Sequence, residues 1–418
     1  VAFSIVGGRM AVLAGTEPSE PTTSVAGAQI FAQRADIVDR EGRILATNFD
    51  THSLYAQPQQ MIDPEHAADK LVEIFPDLDR ARLIKDFTGT RKFLWIKKKL
   101  SPEQKQAVHD IGEPGLLFGP REMRLYPNGR LAAHVLGGTS FGREGVHAAE
   151  LVGVAGIERH HEPLRLSLDL SVQAAMERVL FGGMKIMNAK GAAGILMDAH
   201  TGEVVAVASL PDFDPNDRPA LPTSGSPSDS PLFNRAVQGV YELGSTFKIF
   251  PVAQALELGL INPETMINTK SPMQWGKFRI RDFKNYGPEL SATKVIVKSS
   301  NVGTARIALE IGAARQREFL ESLGFMSPVH LEIAEASGST PLLPKNWSEL
   351  STMTISYGHG LSVSPMHLAA GYATIANGGR RVTPTLLHDP TRTPGERIIT
   401  EKTSAAMREM LRHVVTEG

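Results

Sequence analysis

Residues 192–209 run Ala192-Ala193-Gly194-Ile195-Leu196-Met197-Asp198, then Ala199-His200-Thr201-Gly202, then Glu203-Val204-Val205-Ala206-Val207-Ala208-Ser209. Two apolar runs joined by a short turn that ends in glycine predict an antiparallel hairpin. Both runs are almost wholly apolar rather than alternating, so the pattern puts them inside a sheet covered by helices on both faces. Helical spacing over 171–186 before the hairpin, and over 245–260 and 365–376 after it, supplies the cover, with Gly378-Gly379 ending the last helix. The expected fold class is mixed α/β (α+β), an antiparallel sheet flanked by helices with a helical lobe.

Working outward, residues 36–38 and 43–46 read as short strands around the turn Asp39-Arg40-Glu41-Gly42. Residues 64–75 and 78–87 carry apolar positions at helical spacing. Ser101-Pro102-Glu103-Gln104 supplies an N-cap, a proline at the first helical position and a capping-box glutamine, so a helix should run to about Ile111. At roughly 150 residues per domain, 418 residues make two or three domains with room for a sizeable core. Hydrophobic residues at 42% and charged ones at 21% exclude a disordered polyelectrolyte. Lys+Arg 44 against Asp+Glu 45 leaves a net charge of −1, which provides no global field for nucleic acid. With Cys 0, disulfides, thiolate nucleophiles and cysteine-bound metals are all excluded.

The richest chemical string is Gly244-Ser245-Thr246-Phe247-Lys248, followed by an apolar run to Leu260. A Ser and a Lys three apart on a starting helix share a face, and burial at a helix start lowers the lysine pKa. A neutral Lys248 could then take the proton of Ser245, which makes the serine an activated nucleophile. Gly244 lets the chain turn sharply so that an acyl group can approach. Bare spacing is weak evidence, and a second string, Ser291-Ala292-Thr293-Lys294, shows why: Ser291 precedes a helical run and reads as an N-cap. Pro251 inside the 245–260 helix predicts a kink or an opened turn. Ser299-Ser300-Asn301, before a helix over 302–311, reads alone as a set of capping residues, and together with Ser245-x-x-Lys248 supplies a hydroxyl for proton relay and an amide to hold a peptide.

With these residues together the sequence resembles the class B penicillin-binding proteins of the division-specific, septal type. Arg34-Ala35-Asp36-Ile37-Val38-Asp39-Arg40-Glu41-Gly42 looks like the first motif of the family's N-terminal pedestal, with Ala35 where glycine is usual. Arg124-Leu125-Tyr126-Pro127, His134-Val135-Leu136-Gly137 and Gly153-Val154-Ala155-Gly156-Ile157-Glu158 look like the others. Leu168-Asp169-Leu170-Ser171-Val172-Gln173 resembles the start of the transpeptidase domain, and the 192–209 hairpin followed by Asp214-Pro215-Asn216 its first strands and exit.

The resemblance implies a peptidoglycan D,D-transpeptidase with no cofactor and no metal. Ser245 is then the nucleophile, Lys248 the base, Ser299 the proton relay, and Asn301 the amide that orients the stem peptide and hydrogen-bonds Lys248. Gly244 and Ser300 would lie against substrate, while Arg34, Asp39, Arg40 and Glu158 would form a packing and salt-bridge network. Implied partners are the peptidoglycan stem pentapeptide, β-lactam antibiotics, a membrane glycosyltransferase and other division proteins. Two departures stand out. Only ten residues separate Glu158 from Asp169, fewer than in the family, and no Lys-Thr-Gly or Lys-Ser-Gly strand occurs; the nearest string, Lys402-Thr403-Ser404, opens a helical run as an N-cap.

The reading divides the chain into 1–15, the remnant of an inner-membrane anchor with Arg9 near the interface; 16–162, an elongated pedestal or dimerisation-type module; and 163–418, a periplasmic transpeptidase domain lacking its C-terminal part. A span needs about 20 apolar residues, more than the run before Arg9 offers. The alternatives are a β-lactamase or β-lactam sensor, against which the long N-terminal module argues, and a mainly scaffolding division protein. Other signals read as structural: the cations 91–92 and 97–99 as a solvated face, His359 as a turn residue, and His160-His161 as a weak metal pair.

Overall fold

The computed structural model describes residues 35–138, 162–220 and 222–418. Arg34, Glu158, His160, His161 and the apolar start of the chain lie outside the described residues, so the expectations placed on them end there. Among the described residues no helix is long and apolar enough to cross a membrane.

β1 (Ile37–Val38) and β2 (Ile44–Ala56) pair antiparallel around the 39–43 turn, where Gly42 takes φ 82°. β2 is 13 residues long and serves two purposes. Its start belongs to the β1 hairpin, while its later part pairs antiparallel with β3 (Leu94–Leu100) and β4 (Leu116–Leu125). Three helices cover one face of that sheet: α1 (Pro64–Ile74), α2 (Arg80–Phe87) and α3 (Pro102–His109). Their N-caps are Asp63, Asp79 and Ser101, and Ser101 with Gln104 forms the expected capping box. Leu54, Leu71, Phe87, Leu94 and Leu100 fill the space between helices and strands. The cation-rich stretch becomes β3, with Lys98 and Lys99 exposed and Trp95 packed edge-on against Tyr55 and Phe93.

The base of this module shares its sheet and core with residues that follow 162. After α4 (Ala133–Leu136), β5 (Leu164–Arg165) pairs parallel with β1. One core then holds Ile37, Leu45, Tyr126 and Leu136 together with Leu166, Leu168, Val204, Val207 and Leu386. Polar groups bind the same junction. Asp39, fully buried, accepts hydrogen bonds from Glu41 N–H (3.0 Å), Arg43 N–H (2.8 Å), Arg43 Nε (2.7 Å) and Leu170 N–H (3.0 Å). Burial raises the Asp39 pKa, but the Arg43 guanidinium and the backbone donors outweigh it and hold the carboxyl below its usual range. Arg43 also reaches Asp169 at 3.0 Å, and Arg40 pairs with buried Glu203. Tyr126 N–H donates to Asn216 Oδ1 (3.0 Å), whose Nδ2 returns a bond to Tyr126 O (2.9 Å).

β6 (Ala192–Met197) and β7 (Val204–Leu210) form the expected antiparallel hairpin, with α5 (Leu170–Ile186) packed on it. The expectation that both strands are interior needs correction. β7 is almost fully buried, but β6 is half-buried and Leu196 is 47% exposed, because among the described residues β6 pairs with β7 alone.

The helical lobe comprises α6 (Ile249–Glu257), four short strands β8 (Met266–Asn268), β9 (Met273–Trp275), β10 (Phe278–Ile280) and β11 (Glu289–Ser291), then α7 (Ala292–Val297), α8 (Asn301–Ile311), α9 (Ala313–Ser322), α10 (Glu349–Ser356), α11 (Pro365–Ala376) and α12 (Glu401–Glu417). Its core centres on Phe247, Phe250 and Phe325, whose rings meet edge-to-face at 4.8–5.2 Å. Where an opened turn was expected, α6 runs through Pro251. It is the third residue of α6, where a missing N–H costs nothing. The irregularity lies one turn earlier, and α6 ends at Glu257 rather than Leu260. Lys402-Thr403-Ser404 is likewise not a cap: Thr400 caps α12, and Ser404 is buried, donating to Ile375 O at 2.6 Å.

Candidate active site

Gly244 takes φ 58°, a left-handed conformation that glycine adopts without a Cβ penalty. From it the chain enters a 3₁₀ turn, Gly244–Lys248. With three residues per turn, positions i and i+3 eclipse, so Ser245 and Lys248 stand one above the other more directly than an α-helix would allow. The turn is held from both sides: Gly244 N–H donates to Gly358 O (3.1 Å), and the Tyr372 hydroxyl donates to Thr246 O (2.6 Å). An open hollow of about 430 Å³, lined by Ala193, Ile195, Leu368 and Tyr372, lies beside Thr246.

Along this turn exposure reverses within three residues. Ser245 is exposed, whereas Lys248 is 2% exposed. Lys248 Nζ donates to Ser299 Oγ at 2.8 Å and to Ser299 O. Burial drives its pKa down from 10.5 to about 8, against the pull of the nearby Asp282 charge, which favours the ammonium. Near neutrality a usable fraction of Lys248 is therefore a neutral amine.

Ser299-Ser300-Asn301 folds as three different things. Ser299 takes φ 56°, an uncommon conformation for a residue with a Cβ, and presents both its carbonyl and its hydroxyl to Lys248. Ser300, expected against substrate, is fully buried. It is the N-cap of α8, accepting from Gly303 N–H (2.9 Å) and donating to Asp282 Oδ2 (2.8 Å). Its side chain points into the helix end because the N-cap position requires it. Asn301, expected to bond Lys248, instead donates from Nδ2 to Arg281 O at 3.0 Å. The Lys248 contact belongs to Ser299. Asp282 escaped the sequence reading: its Oδ1 accepts Val302 N–H at 3.0 Å, so it holds the loop from below while placing a negative charge near Lys248. A lone aspartate after a three-residue strand carries no local pattern that could have marked it.

The decoy string folds as expected. Ser291 caps α7, its Oγ accepting Lys294 N–H at 3.2 Å, and Lys294 turns outward to Glu417.

Residues 29–164 match the penicillin-binding protein dimerisation domain, and residues 192–418 match the penicillin-binding protein transpeptidase domain. The chain is 34% identical over 393 residues to a probable peptidoglycan D,D-transpeptidase FtsI of Caulobacter vibrioides, covering 92% of this chain and 65% of that protein. It is 30% identical to a probable peptidoglycan D,D-transpeptidase PenA of Neisseria gonorrhoeae and 29% identical to the peptidoglycan D,D-transpeptidase FtsI of Escherichia coli, in each case over 93% of this chain and 70% of the relative. The chain belongs to the class B penicillin-binding proteins. It spans about two thirds of the length of these curated relatives. In this penicillin-binding protein the Ser-x-x-Lys and Ser-x-Asn strings meet at one place through Lys248 and Ser299. Asp39 and Arg40, within the matched dimerisation domain, bond Leu170 N–H and, within the matched transpeptidase domain, Glu203.

Proposed function

We propose that this protein is a peptidoglycan D,D-transpeptidase that cross-links stem peptides in septal wall synthesis through an acyl-enzyme on Ser245. The observation that carries the reading is the pairing of an exposed serine with a buried lysine of lowered pKa one 3₁₀ turn away, the lysine in turn bonded to Ser299. Neutral Lys248 accepts the Ser245 hydroxyl proton as Oγ attacks the carbonyl of the penultimate D-Ala. The oxyanion that forms is stabilised in part by the Ser245 backbone N–H. The proton passes from Lys248 through the Ser299 hydroxyl to the departing D-Ala amine, so the C–N bond breaks without expelling an unprotonated amide. A neighbouring stem amine then attacks the ester, loses its proton along the reverse path and frees Ser245.

The division into a membrane-anchor remnant (1–15), a pedestal (16–162) and a periplasm-facing transpeptidase domain (163–418) belongs to the same proposal, as do the stem pentapeptide, β-lactams and division proteins as partners. The matched dimerisation and transpeptidase domains support its pedestal and transpeptidase parts. The test is covalent labelling of the full-length protein by a fluorescent penicillin. Wild-type protein should label and Ser245→Ala should not; a wild-type protein that never labels favours a scaffolding role.

A further inference from the structure

The residues that lead into Ser245 meet residues 358–363 at two points. Tyr241 N–H donates to Val363 O (2.9 Å), Val363 N–H returns to Tyr241 O (3.0 Å), and Gly244 N–H donates to Gly358 O (3.1 Å). The turn containing Gly358 is pressed directly on the elbow. A Cβ at Gly358, whose φ is 82°, would stand 2.1 Å from Gly244 O and 2.4 Å from Gly244 N. Backbone therefore meets backbone at the residue before the nucleophile, and a displacement of one moves the other.

One side chain ties the two together. Glu242 Oε1 accepts Gly360 N–H at 2.6 Å, and its Oε2 lies 3.2 Å from His359 Nδ1. The Gly360 N–H, and after it His359, hold the Glu242 carboxyl below its usual pKa range. The far side of the turn is fixed to α10, with Gly358 N–H on Ile355 O (2.9 Å), His359 N–H on Thr354 O (3.0 Å) and the Tyr357 and His359 rings edge-to-face at 5.5 Å. Glu242 is thus the link between a turn anchored on α10 and the residues that lead into the Gly244–Lys248 turn.

We propose that Glu242 is a positioning residue for acylation: by bracing the 358–360 turn against Gly244, it fixes where the Ser245 hydroxyl and N–H stand. The proposal rests on Ser245 being the nucleophile. Its warrant is that near-attack geometry tolerates little displacement, a misplacement of about 1 Å costing on the order of a hundredfold in rate. His359, read from sequence as a plain turn residue, becomes the second contact of the brace.

The experiment is stopped-flow acylation of the full-length protein by a fluorescent penicillin, separating the dissociation constant of the non-covalent complex from the acylation rate constant, with melting followed in parallel. Glu242→Ala should slow acylation roughly tenfold or more, with the dissociation constant within about twofold. Glu242→Gln should recover most of the rate, since its amide oxygen can still accept Gly360 N–H. Unchanged acylation in the labelled fraction of Glu242→Ala, with only a lower melting temperature, would mean a purely structural contact and would overturn the proposal. Glu242→Gln falling as far as Glu242→Ala would overturn it too. Ser245→Ala serves as the separate control: if that variant still labels, the nucleophile assignment fails and the proposal with it, whatever Glu242 does.

Discussion

This chain carries the string Ser-x-x-Lys twice, and the two copies share nothing beyond their spacing. At 291–294 the serine spends its hydroxyl on a backbone N–H as an N-cap, and the lysine lies half in water beside Glu417. At 245–248 the serine is exposed at the start of a 3₁₀ turn, while the lysine is buried and bonded to a second serine. The difference teaches that spacing only permits the chemistry. What confers it is a hydroxyl that is not used as a cap and an ammonium that has lost its water. The largest contrast is therefore in covalent chemistry: labelling by a fluorescent penicillin should vanish in Ser245→Ala and proceed at the wild-type rate in Ser291→Ala. The reverse result would assign the nucleophile to the other string.

Next in size is the lysine. Lys248→Met should slow acylation by a factor on the order of 10²–10⁴ through loss of the general base, and Lys294→Met should leave it unchanged. Wild-type acylation should rise with pH and level off above about 8, the value to which burial lowers Lys248. Stability should respond in a higher pH window. The folded pKa of about 8 lies below 10.5, so between those values the unfolded chain binds more protons and stability rises with pH; below about 8 the burial penalty is fully felt. Lys248→Met should accordingly melt no lower than wild type at pH 7, and its melting temperature should lack the extra rise between pH 8 and 10.5. A large drop in melting temperature at pH 7 would mean that the Ser299 contacts outweigh the cost of burial.

The same reasoning separates what could be read from the sequence from what could not. The hairpin at 192–209, the caps at Ser101 and Ser291, the helix over 365–376 and the shared turn of Ser245 and Lys248 were legible because each rests on residues close in sequence: periodicity, capping and spacing are local properties. Asp282 under the Ser299 loop, Glu203 opposite Arg40 and Glu242 beneath the 358–360 turn were not, since each acts on a partner brought near only by the fold. The errors have the same origin. The resemblance put Asn301 against Lys248, but where α8 starts decides which of the three faces Lys248, and that position belongs to Ser299. The edge position of β6 was equally invisible, because an apolar run does not reveal how many neighbours its strand will have.

A smaller effect probes Asp282. Its negative charge favours the Lys248 ammonium, so neutralising it in Asp282→Asn should lower the lysine pKa further and move the rising limb of the acylation profile to a pH below 8. The amide oxygen can still accept Val302 N–H or the Ser300 hydroxyl, which keeps α8 capped. A limb that stays in place while the maximal rate falls would show that Asp282 acts only as a support for the loop.

The smallest effect reverses the first. Ser291→Ala removes the N-cap of α7, leaving Lys294 N–H without its acceptor. Caps of this kind are worth about 1 kcal/mol, so urea unfolding should show a loss of that order. Ser245 caps nothing: Leu243 holds the N-cap position of its turn, and among the described residues no group hydrogen-bonds the Ser245 hydroxyl. Its replacement by alanine should change the unfolding free energy by less than about 0.5 kcal/mol, as for an exposed side chain with no cap or buried partner. The substitution that abolishes the chemistry should thus be the one the fold barely notices, and the substitution that leaves the chemistry untouched should be the one that costs stability. Equal losses from both would mean that the Ser245 hydroxyl has a structural partner, and the contrast between the two strings would then rest on lysine burial alone.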